Sequence, residues 1–349
     1  MSKHFAHSHQ VAAKLILCGE HAVLYGVPAL SLAIKLPTEC TIDFLPVEDP
    51  KQPLTFRILL PDVNIDCLLG ETQWIERIAE LESRYPIWQQ DRDGALLQSP
   101  EELILLCLME VHRQHPLPKG HWRIQLQSDN LIGRGMGSSA AVILATLGAV
   151  AKTLQVHFNK AQLLRMATAV EHYQHGRSSG LDPATLLENT VIEYQLPAQI
   201  RPLGLKQLPM QAWLIDSGQA QSTTAECVQQ VRQNFAEDQA LWQHFAKVVR
   251  QIKHAWQSGN LEQFRQGIRQ NQLLLEQIGV VPQPVIHFIQ ALGDLAPESC
   301  AKVCGAGSVR GNAAGILVYF ADKAPTALCA EYGYRCQPLD LFPNPKSPV

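Results

Sequence analysis

No stretch of this chain reaches the roughly 20 consecutive apolar residues that a membrane-spanning helix needs. The residues Met1-Ser2-Lys3-His4-Phe5 open no apolar signal region either. A cytoplasmic protein with no membrane partner is expected. A basic stripe is also missing. The 29 Lys and Arg stand against 32 Asp and Glu, scattered, for a formal net charge of −3, whereas a nucleic-acid partner requires concentrated positive charge. There is no internal repeat and no low-complexity segment. The nine cysteines are an odd number spread from Cys18 to Cys336. Cys300 and Cys304, the closest pair, lack zinc-knuckle spacing and a second pair or His partner. The cysteines are expected as small buried hydrophobes in a reducing compartment, not as a disulfide framework. His4, His7 and His9 are expected to lie on a solvated tail.

What is present suits two domains of ordinary size: 349 residues, 46% of them hydrophobic. Strand-like runs (Leu15 to Cys18, Cys40 to Leu45, Leu54 to Leu60, Trp122 to Leu126) alternate with helical ones (Glu101 to His115, Ser138 to Leu154). A run rich in Pro and Gln, Leu196 to Leu208, separates this half from the strand-like Ala212 to Ile215. Helical stretches follow at Thr224 to Gln257, Leu261 to Ile278 and Val285 to Leu295, then a strand at Ala314 to Phe320. A boundary near residue 200 divides the chain into 1–200 and 201–349.

Four segments carry chemistry. Gly135-Met136-Gly137-Ser138-Ser139-Ala140-Ala141 joins a strand-like run to an uncharged buried element. Small residues let backbone N–H groups approach an anion, and a following helix adds its positive end at the same point. No Lys follows the glycines as it does in the common phosphate loop. A tight turn with a Ser N-cap accounts for the same residues. Lys14 to Gly26 is a short apolar strand that ends in Gly19 with Glu20 and His21 beyond it; a strand leading to a surface turn, with Lys14 solvated, is the alternative. In Glu171 to Asp182 a helix begun near Asn159 ends at Gly176, and a turn brings Asp182 back. Two carboxylates so placed suit a metal and a base, while Glu171 and His175 at i,i+4 would also make a plain surface pair. Gly305-Ala306-Gly307-Ser308 before the last strand is either a phosphate-lining loop or a turn.

In this order, these segments resemble the GHMP small-molecule kinases, and among them the branch that acts on mevalonate. Lys14, Leu17, Gly19, Glu20, His21, Ala22, Val23, Tyr25, Gly26, Pro28 and Ala29 fit the family's first motif, A-P-G-K-x-x-L-x-G-E-H-A-V-x-Y-G-x-P-A. Gly133, Gly135, Gly137, Ser138, Ser139, Ala140 and Ala141 fit the second, P-x-G-x-G-L-G-S-S-A-A. His175, Gly176, Ser179, Gly180 and Asp182 fit H-G-x-P-S-G-x-D. Asp216-Ser217-Gly218 with Ser222-Thr223, and Asn271-Gln272-Leu273-Leu274 with Ile278-Gly279-Val280, look like the mevalonate branch. The resemblance implies an α+β, two-domain GHMP kinase fold with the active site in the interdomain cleft. It also implies ATP-dependent phosphorylation of mevalonate to 5-phosphomevalonate, with Mg²⁺ as cofactor and no macromolecular substrate. Dimers are frequent in the family, so a homodimer is one open state.

The implied roles follow residue by residue. Asp182 orients the hydroxyl or takes its proton, with Lys14 beside it. Gly133, Gly135, Met136, Gly137, Ser138, Ser139, Gly305 and Gly307 hold the phosphates. Ser139 and Glu171 ligate the metal, and Glu20, His21 and Thr223 line the acceptor pocket. The sequence departs from the family at Ala12 and Ala13, at Leu131, at Ser178 and at Arg134 and Arg177, either of which could reach a phosphate or a carboxylate. The family's G-A-G-G-G-G is replaced by Gly305-Ala306-Gly307-Ser308-Val309-Arg310-Gly311. Another GHMP kinase, or a ligand sensor that kept the fold and lost catalysis, are the alternatives. The joint presence of Lys14, Ser139, Glu171 and Asp182 argues against the sensor.

Overall fold

The computed structural model describes residues 5–47, 49, 51–91, 95–129, 134–176, 178–205 and 207–342. His4, Leu131, Gly133 and Arg177, all named above, lie outside them. Two sheets organise the chain. The first has seven strands: β1 (Phe5–Cys18), β2 (Ala29–Pro46), β3 (Thr55–Leu60), β4 (Ile65–Gly70), β5 (Gly120–Ser128), β6 (Val191–Gln195) and β7 (Gln199–Pro202). Its order is β4-β3-β5-β2-β6-β7, with β1 paired antiparallel along β2 so that Lys14 faces Ala33 and Cys18 faces Leu30. The β3–β5 pair is parallel. β2 is long enough to serve two neighbours, pairing its start with β6 and its end with β5.

The second sheet is antiparallel, in the order β11-β8-β10-β9, from β8 (Ala212–Asp216), β9 (Cys300–Val303), β10 (Ile316–Phe320) and β11 (Arg335–Pro338). The helices are α1 (Glu71–Asp91), α2 (Glu101–Gln114), α3 (Ser138–Leu154), α4 (Lys160–His175), α5 (Leu181–Glu188), α6 (Thr224–Phe235), α7 (Gln239–Ser258), α8 (Leu261–Gln277), α9 (Gln283–Leu295) and α10 (Thr326–Glu331). α3 is apolar on almost every side and buries Ala140 through Ala151 nearly without interruption, as a helical run with no charge before Lys152 must. A core under the first sheet joins Ile42, Phe56, Trp74, Trp122 and Ile143. A second core starts at Leu15, Leu17 and Leu32 of the first sheet and runs through Phe245, Phe264 and Phe288 into β10. The chain returns at its end to the first sheet, where Lys35 N–H donates to Asp340 O at 2.8 Å and Phe342 N–H to Ala33 O at 3.1 Å.

Several expectations change. His7 and His9 are not on a solvated tail: β1 begins at Phe5, and both are half-buried on it. The stretch expected as one helix from Thr224 is two helices. Residues 236–238 break it, because the Asp238 carboxylate accepts from Leu241 N–H and starts α7 anew. Helix α1 is not expected from the sequence: its buried stripe, Trp74, Ile78 and Leu81, is narrow and set among charges, and Pro86 sits inside it. The nine cysteines are free, and seven of them are buried, as expected.

Candidate active site

Helix starts locate the site. α4, α6, α7 and α8 begin with side-chain caps from Asn159, Thr223, Asp238 and Asn260. α3 begins at Gly137, which has no side chain and φ +67°, so no side-chain cap covers its first-turn N–H groups. Those donors and the positive end of a long helix are what an anion needs. α5 likewise begins at a glycine, Gly180 with φ +78°, and carries Asp182 in its first turn, where the helix dipole favours a carboxylate. Residues 178–182 are therefore a turn into a short helix.

Lys14 joins these two helix starts. Its Nζ is 3.0 Å from Asp182 Oδ1 and donates to Gly135 O at 3.1 Å, while its own N–H donates to Met136 O at 3.0 Å. Lys14 is buried and Asp182 half-buried, 5% and 29% exposed, so this pair is shielded from water in a way surface pairs are not. Gly137 makes room for it: a Cβ there would lie 2.7 Å from Lys14 Cγ.

Glu171, on the last turn of α4, is buried rather than at the surface. Burial, reinforced by the charge of Asp182, pushes its carboxyl up to about 8, against the pull of the Ser178 hydroxyl and the Lys14 ammonium. Ser178 donates to Glu171 Oε2 at 2.6 Å and accepts from Gly180 N–H at 3.0 Å. The departure from Pro at this position thus supplies a hydroxyl that shapes the turn. Among the described residues Glu171 does not pair with His175, whose Nε2 instead lies 3.1 Å from Ser139 Oγ.

Beyond β1, Glu20 and His21 are buried. His21 Nε2–H donates to Ala306 O at 3.0 Å, a carbonyl being able only to accept. Burial holds the His21 ring below its ordinary pKa, opposed by that bond and by Glu20. Glu20 forms an ion pair with Lys302 of β9, and both side chains are sealed from solvent. Burial works against the Lys302 charge, but Glu20, together with Cys304 and Cys18, more than offsets it, and its pKa stands above the usual lysine value. Glu20 Oε2 has no hydrogen-bond partner among the described residues. Lys302 is absent from the sequence reading. Its signal is a single charge inside the otherwise apolar Ala301 to Cys304, next to the Gly305 to Ser308 loop.

That loop closes the site. Gly305 lies against Gly135, where a Cβ would be 3.5 Å from Gly135 O. At Gly307, with φ +68°, a Cβ would come 2.1 Å from Val280 O, and Ser308 N–H donates to the same oxygen at 2.9 Å. The Ile278-Gly279-Val280 run is therefore the seat of this loop. Gln272 of α8 accepts from Val303 N–H at 2.9 Å and fixes the strand leading into it. Thr223 stands apart: it is exposed, its hydroxyl accepts from Glu226 N–H at 3.2 Å as the cap of α6, and no hydrogen bond among the described residues joins it to the other site groups. Arg134 meets a carboxylate, with Nε 3.0 Å from Asp216 Oδ1.

Comparison with known proteins gives consistent matches. Residues 102–189 match the family model described as the GHMP kinases N terminal domain. The mevalonate kinase of Pyrococcus furiosus is 30% identical over 304 residues, 84% of each chain. The crystal structure of the Methanococcus jannaschii mevalonate kinase aligns with a TM-score of 0.75 at 21% identity, covering 97% of this chain and 99% of that one. That of L. major mevalonate kinase in complex with R-mevalonate aligns with a TM-score of 0.72 at 20% identity, over 99% of both. At these identities the structural matches speak for the fold.

Proposed function

The chain belongs to the mevalonate kinase family, a branch of the GHMP kinases, and from that premise we propose that it transfers the γ-phosphoryl group of ATP to mevalonate, giving 5-phosphomevalonate and ADP. The Lys14–Asp182 pair at 3.0 Å carries the reading. Phosphoryl transfer demands positioning and charge stabilisation more than covalent chemistry. Asp182 orients the acceptor hydroxyl and receives its proton as the new O–P bond forms and the bond to the ADP oxygen breaks. Lys14, paired with that carboxylate at 3.0 Å, holds it in place and balances charge on the transferred group. Backbone N–H groups of Gly135 to Ser139 hold the phosphates from the uncapped start of α3. Gly305 backs this loop, and Gly307 serves through its fit against Val280. Glu20 and His21 line the acceptor pocket.

The donor set suits Mg²⁺. Ser139 and Glu171 offer hard oxygens, and a carboxylate raised to about 8 beside a second carboxylate would exchange its proton for a cation. Mg²⁺ keeps several waters and needs few protein ligands, so a hydroxyl and one carboxylate would suffice. When bound, the metal neutralises charge across the phosphates. A division into domains near residue 200 and a cytoplasmic location belong to the same proposal. Among the described residues no helix is long and apolar enough to cross a membrane.

A coupled ADP-release assay over a panel of acceptors tests the reading. Mevalonate should give a kcat/KM well above galactose, homoserine or phosphomevalonate, and a preference for any of those three overturns it. Binding of ATP and mevalonate with no release of ADP would establish a sensor instead.

A further inference from the structure

Arg134 is the residue whose position in the glycine loop admits either a carboxylate or a phosphate as partner, and the structure shows what each edge of its guanidinium does. Its Nε faces Asp216 at the end of β8, 3.0 Å from Oδ1. That oxygen is itself fixed by Gly218 N–H at 2.9 Å. Asp216 is 9% exposed and Arg134 20%, so the pair is largely dry. The backbone is held as well: the Arg134 carbonyl packs where a Cβ on Gly315 would come within 3.1 Å of it. The arginine is thus anchored at its root and at one edge of its fork.

The other edge is not satisfied. Nη1 is buried and has no hydrogen-bond partner among the described residues. A buried charged donor without an acceptor is costly, and a fold retains one where function brings the acceptor. Among the described residues the lysines of the site are already employed: Lys14 serves Asp182 and Gly135 O, and Lys302 serves Glu20 and Val303 O. Arg134 also immediately precedes Gly135 to Ser139, whose N–H groups lead into the uncapped start of α3. Guanidinium geometry suits this double duty, because its planar fork can meet a carboxylate on one side and a phosphate on another.

We propose that Arg134 is a phosphate-binding residue of the nucleotide site, held by Asp216 through Nε so that Nη1 donates to an oxygen of the ATP phosphate chain. Asp216 is then a positioning residue. The assignment rests on the reading of the 135–139 loop as the nucleotide site and adds to it a side chain from outside the glycine run.

The test is calorimetric titration of the whole protein with Mg²⁺ and a non-hydrolysable ATP analogue, and separately with AMP, alongside steady-state kinetics with mevalonate. Arg134→Met should weaken binding of the analogue about tenfold or more, with AMP affinity and the KM for mevalonate within about twofold of the unmodified protein. Arg134→Lys should recover only part of the loss, since a point charge cannot hold both partners. Asp216→Asn should weaken the analogue less than Arg134→Met and in the same phosphate-dependent way, which keeps the test open should the methionine variant fail to fold. Unchanged analogue binding with a raised KM for mevalonate would assign the arginine to the acceptor and overturn the proposal. A lowered Tm with both affinities unchanged would make it structural and overturn it too. In either case the unmodified protein would still bind nucleotide and turn over, so the kinase reading would stand. Failure of the unmodified protein to bind the analogue would bring down both.

Discussion

At Gly137 a Cβ would meet Lys14 Cγ at 2.7 Å and Asp182 Oδ2 at 3.4 Å, whereas at Gly307 it would meet the Val280 carbonyl oxygen at 2.1 Å. Both glycines have φ near +68° and belong to loops that touch at Gly135 and Gly305. The first loop omits a side chain to leave room for two reactive ones. The second omits it so that backbone can lie on backbone. Glycine content alone therefore does not say which loop takes part in the chemistry; what fills the space left by the missing Cβ does.

The largest effect should come from the groups that fill the first space. Asp182→Asn should leave fold and ATP binding nearly intact while lowering kcat by about 10² to 10⁴, the span for a positioned acid or base. Lys14→Met should also be slow. Because the two share one contact, the double variant should lose much less than the product of the single effects. Near-normal turnover of Asp182→Asn would remove the distinction between the loops.

The glycines themselves give the next test. Alanine at either position is strained by the positive φ, and Gly307→Ala must in addition displace a backbone carbonyl, for a loss of about 1–3 kcal/mol in stability. Denaturant melts should show that loss, with kcat of the folded fraction little changed. Gly137→Ala should show the reverse balance: a smaller loss of stability, because the atoms in its way are the flexible stem of a lysine, and a clear drop in kcat. Equal stability losses with equal kcat would break the comparison.

Glu171 extends the first loop's chemistry toward the metal. Glu171→Gln should raise the Mg²⁺ concentration for half-maximal rate by about tenfold, since an amide is a poorer ligand for a hard cation. An unchanged titration and kcat would remove Glu171 from the site.

Local pattern made most of the elements legible: alternation in β3 and β5, helical spacing in α2, α7 and α8, and the Asn159 start and Gly176 end of α4. Contacts between distant segments were not legible. Glu20 and Lys302 stand 282 residues apart, and nothing near either predicts the other. Lys14 and Asp182 were joined through family resemblance, not by spacing. Thr223 illustrates the opposite case, a pocket expectation that meets a helix cap. His9 departs from expectation because a polar residue near a terminus suggests solvent, yet its ring fills the space of the missing Cβ at Gly148 of α3. Burial, helped by the Lys152 charge, lowers its pKa from 6.5 to about 4. The folded value lies below the unfolded one, so its contribution to stability is present above pH 6.5 and lost as pH falls toward 4. Melts across that window should show Tm falling with acid, and His9→Gln should flatten the slope while leaving both glycine loops unaffected. An unaltered slope would mean the ring is not held neutral.

The smallest expected effect isolates the side chain that ties down the second loop. Ser308 stands where the family has glycine, and it is fully buried. Its hydroxyl accepts from Ser222 N–H at 3.1 Å and donates to Arg310 O at 2.7 Å, while Ser222 Oγ in turn accepts from Val309 N–H at 3.2 Å. The loop is thus stitched to the segment just before α6 by side chains that the glycine pattern lacks. Ser308→Ala removes two of these bonds and leaves an N–H and a carbonyl without them, a loss of about 1 kcal/mol. Ser308→Gly should cost slightly more, because it also frees the backbone. Neither touches a reacting group, so kcat and the affinity for ATP should stay within about twofold of the unmodified protein, on the scale of a surface-like perturbation. A fall in kcat comparable to that of Gly137→Ala, with stability unchanged, would show that the second loop acts on the phosphates directly and that the two loops share one role.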